Sequence, residues 1–294
     1  MKTVVITGAS GLLGRALVRA FESASWNVRG LAHSRISGDL IAVDLTNYDE
    51  AANVVLQAKP DVIVHSAAQR APDKVEKEPE KSYALNVGAS ENLARLADKE
   101  GITFIHISTD YVFDGKSPPY KESDETSPLN KYGESKAVAE KLVMSAKPDA
   151  IIVRIPVLYG GEEHESESAV SSLLKPIKDR TKPTKVSDYE VRYPSHVDDI
   201  ATIVSKLAER RLQDATIRGF YQWCGSEALT KYGMVQIVGR ALDIDVAHIS
   251  ADSNPSSGAP RPHDSRMTRD RLEQLGIGCH TPFYEGVKSF QRFL

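Results

Sequence analysis

Three features of the sequence predict an α/β fold: a Rossmann-type doubly wound parallel sheet with a smaller C-terminal α/β lobe. Short β-branched runs alternate with helical apolar periodicity from Lys2 to about Ile155, the pattern of parallel strands joined by crossover helices. The first run, Thr3 to Thr7, leads directly into a glycine-rich turn that opens a helix. At 294 residues, 41% of them hydrophobic, the chain can bury one large core and a lobe beside it. Residues 1–160 are assigned to the sheet domain and 161–294 mainly to the lobe, with some later segments returning to the sheet.

Strands are expected at Thr3 to Thr7, Asn27 to Ala32, Leu40 to Val43, Asp61 to Ser66, Thr103 to Ser108 and Ala150 to Ile155. Between them, Ala51, Val54, Val55 and Ala58 recur at i, i+3, i+4 and i+7, which puts four apolar side chains on one helix face. After Tyr159-Gly160-Gly161 the pattern breaks into the charge run Glu162 to Glu167, read as a solvated loop. Helices are expected over Asp198 to Arg211 and Lys231 to Leu242. The Ser-, Pro- and Gly-rich stretch from Ser250 to His263 reads as a loop or lid.

Several function classes are excluded early. A net charge of -3 with both signs intermixed lacks the basic excess that a phosphate backbone requires, so nucleic acid is not an expected partner. The chain's two cysteines, Cys224 and Cys279, lie far apart and are expected to be reduced. The sequence starts directly on a strand without a leader, and no apolar run approaches the ~20 residues of a membrane span, so a cytoplasmic protein without a membrane is expected. The histidines form no ligand cluster and no metal is expected; His65 and His106, near strand ends, are read as hydrogen bonders at the core edge.

Gly8-Ala9-Ser10-Gly11-Leu12-Leu13-Gly14 is the segment that carries cofactor chemistry. A turn between strand and helix aims backbone N–H groups and the positive helix end at one point, and glycines let a diphosphate approach the backbone. The second strand ends Leu31-Ala32-His33-Ser34-Arg35, where an NAD-binding chain places an acidic residue for the ribose 2'-hydroxyl. A guanidinium and a hydroxyl at Arg35 and Ser34 suit a 2'-phosphate instead, so the expected cofactor is NADP. Asp44-Leu45 suits the adenine edge, and Ser66-Ala67-Ala68 with Arg70 suits the ribose and diphosphate.

Tyr132 and Lys136 stand four residues apart, on one face of a helix. A cation near the phenol would favour phenolate, lower the Tyr132 pKa, and let Tyr132 donate a proton to a carbonyl; Lys136 could also hold the nicotinamide ribose. Thr109, and after it Ser108, would hydrogen-bond the same substrate oxygen. Asn86 is a candidate for a water relay near Lys136, with helix packing as the alternative. Tyr284 and Lys288 repeat the spacing in a setting with no such surroundings.

The run Ser108-Thr109-Asp110-Tyr111-Val112-Phe113-Asp114-Gly115, with Pro128 to Gly133, Arg154 to Gly160 and Arg261 to Arg266, resembles dTDP-4-dehydrorhamnose reductases of the extended short-chain dehydrogenase/reductase superfamily. A narrower match, carried by Val62 to Glu76, Glu167 to Val170, Arg192 to Thr202, Leu207 to Arg211, Leu229 to Tyr232 and Leu275 to Gly278 with Thr281 to Phe283, is similar to regulatory β subunits of methionine adenosyltransferase. That resemblance implies NADP contacts at Ser10 to Leu13, His33 to Arg35, Asp44, Leu45, Ser66, Arg70, Tyr132 and Leu158. It also implies a non-catalytic protein that partners a methionine adenosyltransferase catalytic subunit and modulates S-adenosylmethionine synthesis. The alternative it leaves is an NADPH-dependent oxidoreductase that reduces a keto-sugar nucleotide. Animal members of the β-subunit family continue into a tail that enters the catalytic subunit, whereas this sequence reads to Leu294. Partner contacts are therefore expected on the folded surface, at Arg192 to His196 and in the Ser250 to His263 stretch.

Overall fold

The computed structural model describes Met1–Leu294. Its strands, in chain order, are β1 (Thr3–Thr7), β2 (Asn27–Ala32), β3 (Ile41–Ala42), β4 (Val62–His65), β5 (Thr103–Thr109), β6 (Ile151–Ile155), β7 (Leu158–Tyr159), β8 (Thr184–Ser187), β9 (Ser195–His196), β10 (Gly219–Gln222) and β11 (Ile249–Asp252). Seven of them form one sheet in the order β10-β6-β5-β4-β1-β2-β3, every pair parallel. The strand order reverses beside β1, between β2 and β4, and a crevice opens at such a switch point beyond the carboxyl ends of the strands. The register sets Thr7 beside both Leu31 and His65, and His65 beside His106, so the residues bordering that crevice come from adjacent strand ends.

Alternation along each strand sends neighbours to opposite faces, and both faces are covered, as an all-parallel sheet requires. Val4, Ile6, Val62, Val64, Ile105 and Val153 pack under the helices Leu12–Ser23 and Val197–Gln213. Val5, Ile63, Phe104 and Ile152 pack on the other side against Val55, Leu93, Ala97 and Val143. Leu17 in the first helix is fully buried, and truncating such a side chain to alanine costs about 2–5 kcal/mol. A further core gathers Tyr159, Leu174, Ile177, Val235, Val238, Phe283 and Phe290, beside the parallel pairs β8–β11 and β7–β9.

The predicted strands hold to within a residue or so, except that β3 shrinks to Ile41–Ala42. Three readings need correction. The Ser250 to His263 stretch is not loop throughout, because Ser250, Ala251 and Asp252 belong to β11 and pair with Lys185, Val186 and Ser187. Arg192 to Ser195 cannot present a partner surface, because all four residues are buried. Arg192 is held there by bonds from its guanidinium to the Val191 and Pro262 carbonyls, at 2.7 and 2.9 Å, and by the Tyr111 ring beneath it. The charge run is a solvated loop only in part: Glu163, His164 and Ser166 are exposed, but Glu162 and Glu167 are 2% and 4% exposed.

Candidate functional site

A cleft of about 850 Å³ runs along the carboxyl ends of the strands. Gly8 leaves β1 with φ +69°, a conformation that favours glycine, and a Cβ there would meet the Ala67 Cα at 2.9 Å. The Leu12–Ser23 helix begins at Gly11 with no side chain capping it. Its first-turn N–H groups are therefore left for a ligand, and their aim at the cleft with the positive helix end fits a dinucleotide diphosphate. A Cβ on Gly14 would overlap the Gly8 carbonyl oxygen and lie 2.7 Å from the Ala9 Cα, so only glycine lets the helix start this close to the strand.

The wall at the ends of β2, β3 and β4 contains His33, Ser34, Arg35, Asp44, Leu45, Ser66, Ala67 and Arg70, all lining the cleft. Ser10 donates to the Ser34 carbonyl at 2.9 Å and Ser66 donates to that of Thr7 at 2.6 Å, which pins two loops to the sheet. The Asp44 carboxylate accepts from Thr46 N and Oγ1, at 2.9 and 2.7 Å, and these bonds hold its pKa down.

Across the mouth lies the acidic run. Glu167 accepts two hydrogen bonds from Arg15, at 2.9 and 2.8 Å, and one from Arg35 Nη1 at 2.9 Å, while its backbone carbonyl accepts from Arg70. Burial pushes the Glu167 carboxyl up, but these bonds and the Arg15 charge win and bring it down to about 2. Arg35 is thus not free, as the sequence reading assumed; one of its nitrogens is shared with a carboxylate. Its Nε and Nη2 make no protein hydrogen bond, and its side chain is 46% exposed.

At the other end Ser108, Thr109, Tyr132, Lys136 and Leu158 line the cleft together. Lys136 Nζ does not reach for the phenol: it bonds His106 Nε2 at 2.9 Å and the Ile107 carbonyl at 2.7 Å. Burial lowers Lys136 to about 7. Burial also raises Tyr132 to about 12, with a hydrogen bond to Thr109 pulling the other way, so the expected cation-lowered phenol is not what the structure holds. Asn86 does not line the cleft. Its amide is spent on the backbone of Gln69, at 2.8 and 3.1 Å, and on Ser135 Oγ at 3.1 Å, which is the packing role. Ser108 Oγ is buried and has no partner in the protein. Beside it, burial raises the Asp110 carboxyl, which accepts from Ser265 at 2.5 Å and Thr109 at 3.1 Å.

Sequence reasoning missed Arg15, Glu163 and Glu167 at the cleft mouth, and Asp110, Tyr111, Ser168 and Ser172 along the wall. The only local signal for the glutamates was the charge run itself. His65 bonds Thr7 and Ser90 at 2.8 and 3.0 Å, in keeping with a hydrogen-bonding role at the core edge.

The glycine turn, the parallel sheet and the Tyr132–Lys136 helix beside Thr109 define a protein of the extended short-chain dehydrogenase/reductase type, a fold that binds nicotinamide cofactors. The sequence matches the RmlD substrate binding domain family over residues 1–293. It is 41% identical over 288 residues to methionine adenosyltransferase 2 subunit beta of Mus musculus, covering 98% of this chain and 86% of that one. It is 33% identical over 235 residues to dTDP-4-dehydrorhamnose reductase of Aggregatibacter actinomycetemcomitans, covering 79% and 76%. The solved dTDP-4-dehydrorhamnose reductase of Bacillus anthracis, in complex with NADP, superposes with a TM-score of 0.86 at 26% identity, covering 100% of this chain and 99% of that one. The chain belongs to the methionine adenosyltransferase 2 subunit beta family, within the group that shares the RmlD-type domain. No helix is long and apolar enough to cross a membrane.

Proposed function

We propose that this chain is an NADP-binding regulatory subunit that associates with a methionine adenosyltransferase catalytic subunit in the cytoplasm and modulates S-adenosylmethionine synthesis. The observation that carries this reading is its relatedness, along 98% of its length, to subunits of that name. The cleft supports the cofactor half. Gly8, Gly11 and Gly14 admit the diphosphate, Ser10, Leu12 and Leu13 border it, and Arg35 offers two unspent donors to a 2'-phosphate. Tyr132 and Lys136 would hold the nicotinamide ribose, the ammonium turning from His106 to do so.

With Arg192 to Ser195 buried, the partner surface falls to the exposed part of the Ser250 to His263 segment. Sedimentation velocity of the chain mixed with a catalytic subunit, with and without NADP, tests the assembly. We expect a complex that dissociates on dilution. No co-sedimentation at tens of micromolar, about -6 to -7 kcal/mol on the affinity scale, refutes the regulatory reading.

A second reading has its own support, because Ser108, Thr109, Tyr132 and Lys136 all line one cleft. In it the chain reduces the 4-keto group of a nucleotide-linked deoxysugar, and bound NADPH supplies the hydride. Thr109 and Ser108 orient the carbonyl oxygen, and Tyr132 gives it a proton. Oxidation of NADPH by a keto-sugar nucleotide, followed at 340 nm, decides for or against it.

A further inference from the structure

The acidic run divides into two kinds of carboxylate. Glu167 is 4% exposed and grips Arg15 through both oxygens. Glu163 is 55% exposed and stands at looser distances from the same two arginines, 3.3 Å from Arg15 and 3.5 Å from Arg35. Arg15 is otherwise committed, since it also bonds the Ser10 and Gly161 carbonyls at 2.8 and 3.0 Å. Arg35 is not: apart from these carboxylates its guanidinium is unpartnered, at the end of β2 where an adenosine ribose carries its 2' substituent.

A phosphate at that place needs what Glu163 now has, a share of the Arg35 charge. It can offer more acceptors and about twice the charge. The exposed, loosely held carboxylate is the one that yields, because an exposed ion pair is weak and has solvent to move into. The buried one stays, since removing Glu167 would leave Arg15, held against two carbonyls, with only the loose Glu163 contact at 3.3 Å to balance its charge.

We propose that Glu163 is the resident counter-ion of the 2'-phosphate site: it neutralises Arg35 while the cleft is free and is replaced by the phosphate, while Glu167 remains as the anchor that aims Arg35. This rests on the reading that NADP occupies the cleft. It makes Glu163 a specificity-determining residue that holds down the advantage of NADP over NAD. Glu167 becomes a positioning residue with the opposite effect.

The test is calorimetric titration of the full chain with NADP and with NAD, for the wild type, Glu163→Gln, Glu163→Lys and Glu167→Gln. Glu163→Gln should tighten NADP about two- to fivefold and leave NAD within the error, the scale of an exposed ion pair. Glu163→Lys should tighten it further, and the gain should shrink at high salt. Glu167→Gln should weaken NADP more than NAD. If Glu163→Gln leaves NADP affinity unchanged, weakens it, or tightens NAD equally, the inference fails while the cofactor reading stands. If the wild type does not bind NADP, the cofactor reading itself fails and takes the inference with it. Because Glu163 is exposed, its variants fold irrespective of what Glu167→Gln does, and NAD binding serves as the internal control.

Discussion

Replacing Gly14 by alanine pits two opposed effects against each other, and the structure says which wins. Gly14 is the third residue of the Leu12–Ser23 helix, where alanine ordinarily gains about 0.5–1 kcal/mol over glycine by restricting the unfolded chain. Here the new Cβ would lie 2.0 Å from the Gly8 carbonyl oxygen and 2.7 Å from both the Ala9 Cα and the Gly8 carbonyl carbon, against an ordinary contact of 3.4 Å or more. Both neighbours are backbone, so neither can rotate away. The turn must move by roughly an ångström or more to clear the Gly8 oxygen, and overpacking of this kind costs about 1–3 kcal/mol. The net expectation is a loss of about 1–2 kcal/mol, read by urea unfolding. NADP affinity should fall more than about tenfold, because the displaced backbone is the diphosphate cradle. Gly88 is the control: it is helical, at φ -59° and ψ -49°, and its Cβ would meet nothing within 4 Å. Gly88→Ala should leave binding unchanged and stabilise by about 0.5–1 kcal/mol. Wild-type stability and affinity in Gly14→Ala would refute the reasoning, as would equal losses at the two positions.

Other perturbations follow from the same geometry. Arg35→Asp should weaken NADP at least tenfold by calorimetry, on the order of 1.5–3 kcal/mol for a charged hydrogen bond, and spare NAD; equal losses for both would count against the 2'-phosphate assignment. Tyr132→Phe should change NADP affinity by no more than about threefold. It should cut any measured keto-sugar reduction by about 10²- to 10⁴-fold, and an undiminished rate would remove Tyr132 as the proton donor. Lys136 gives a pH dependence whose sign is fixed. Its folded pKa, about 7, lies below the ordinary 10.5, so between those values the unfolded chain binds more protons and stability rises with pH. Unfolding curves from pH 6 to 10 should show that rise in the wild type and lack it in Lys136→Met; parallel pH profiles would contradict the assigned shift.

The elements that were legible in the sequence are those whose signal is local. The β-branched runs of β1, β5 and β6 are buried almost throughout, so their limits fall where expected. The glycine turn is equally local, since its spacing and its setting after a strand carry the geometry. Lys136 lines the cleft, but its partner could not be read, because His106 meets it only through the packing of β5 under the Lys131–Ala146 helix. The acidic run was misjudged for the same reason. Glu167 is buried by Arg15 and Arg35, residues more than 130 positions away, and a charged run carries no mark of partners at that distance. Arg192 to Ser195 likewise looked like surface until the Pro262 carbonyl and the Tyr111 ring closed over it.

The helix Val197–Gln213 has a consequence for the order of events during synthesis. Its Ile200, Ile203, Val204 and Leu207 share one apolar core with Val4, Ile6, Leu13 and Leu17. At about 5–20 residues per second, roughly 10–40 s separate the emergence of Ile6 from that of Val204. Throughout that interval one face of the nascent sheet lacks half of its cover, and β6 lacks its edge neighbour β10. The first half of the chain therefore has to wait, partly assembled, for a helix and a strand encoded in the second. Its demand on chaperones should be set by that delay rather than by the stability of the finished fold.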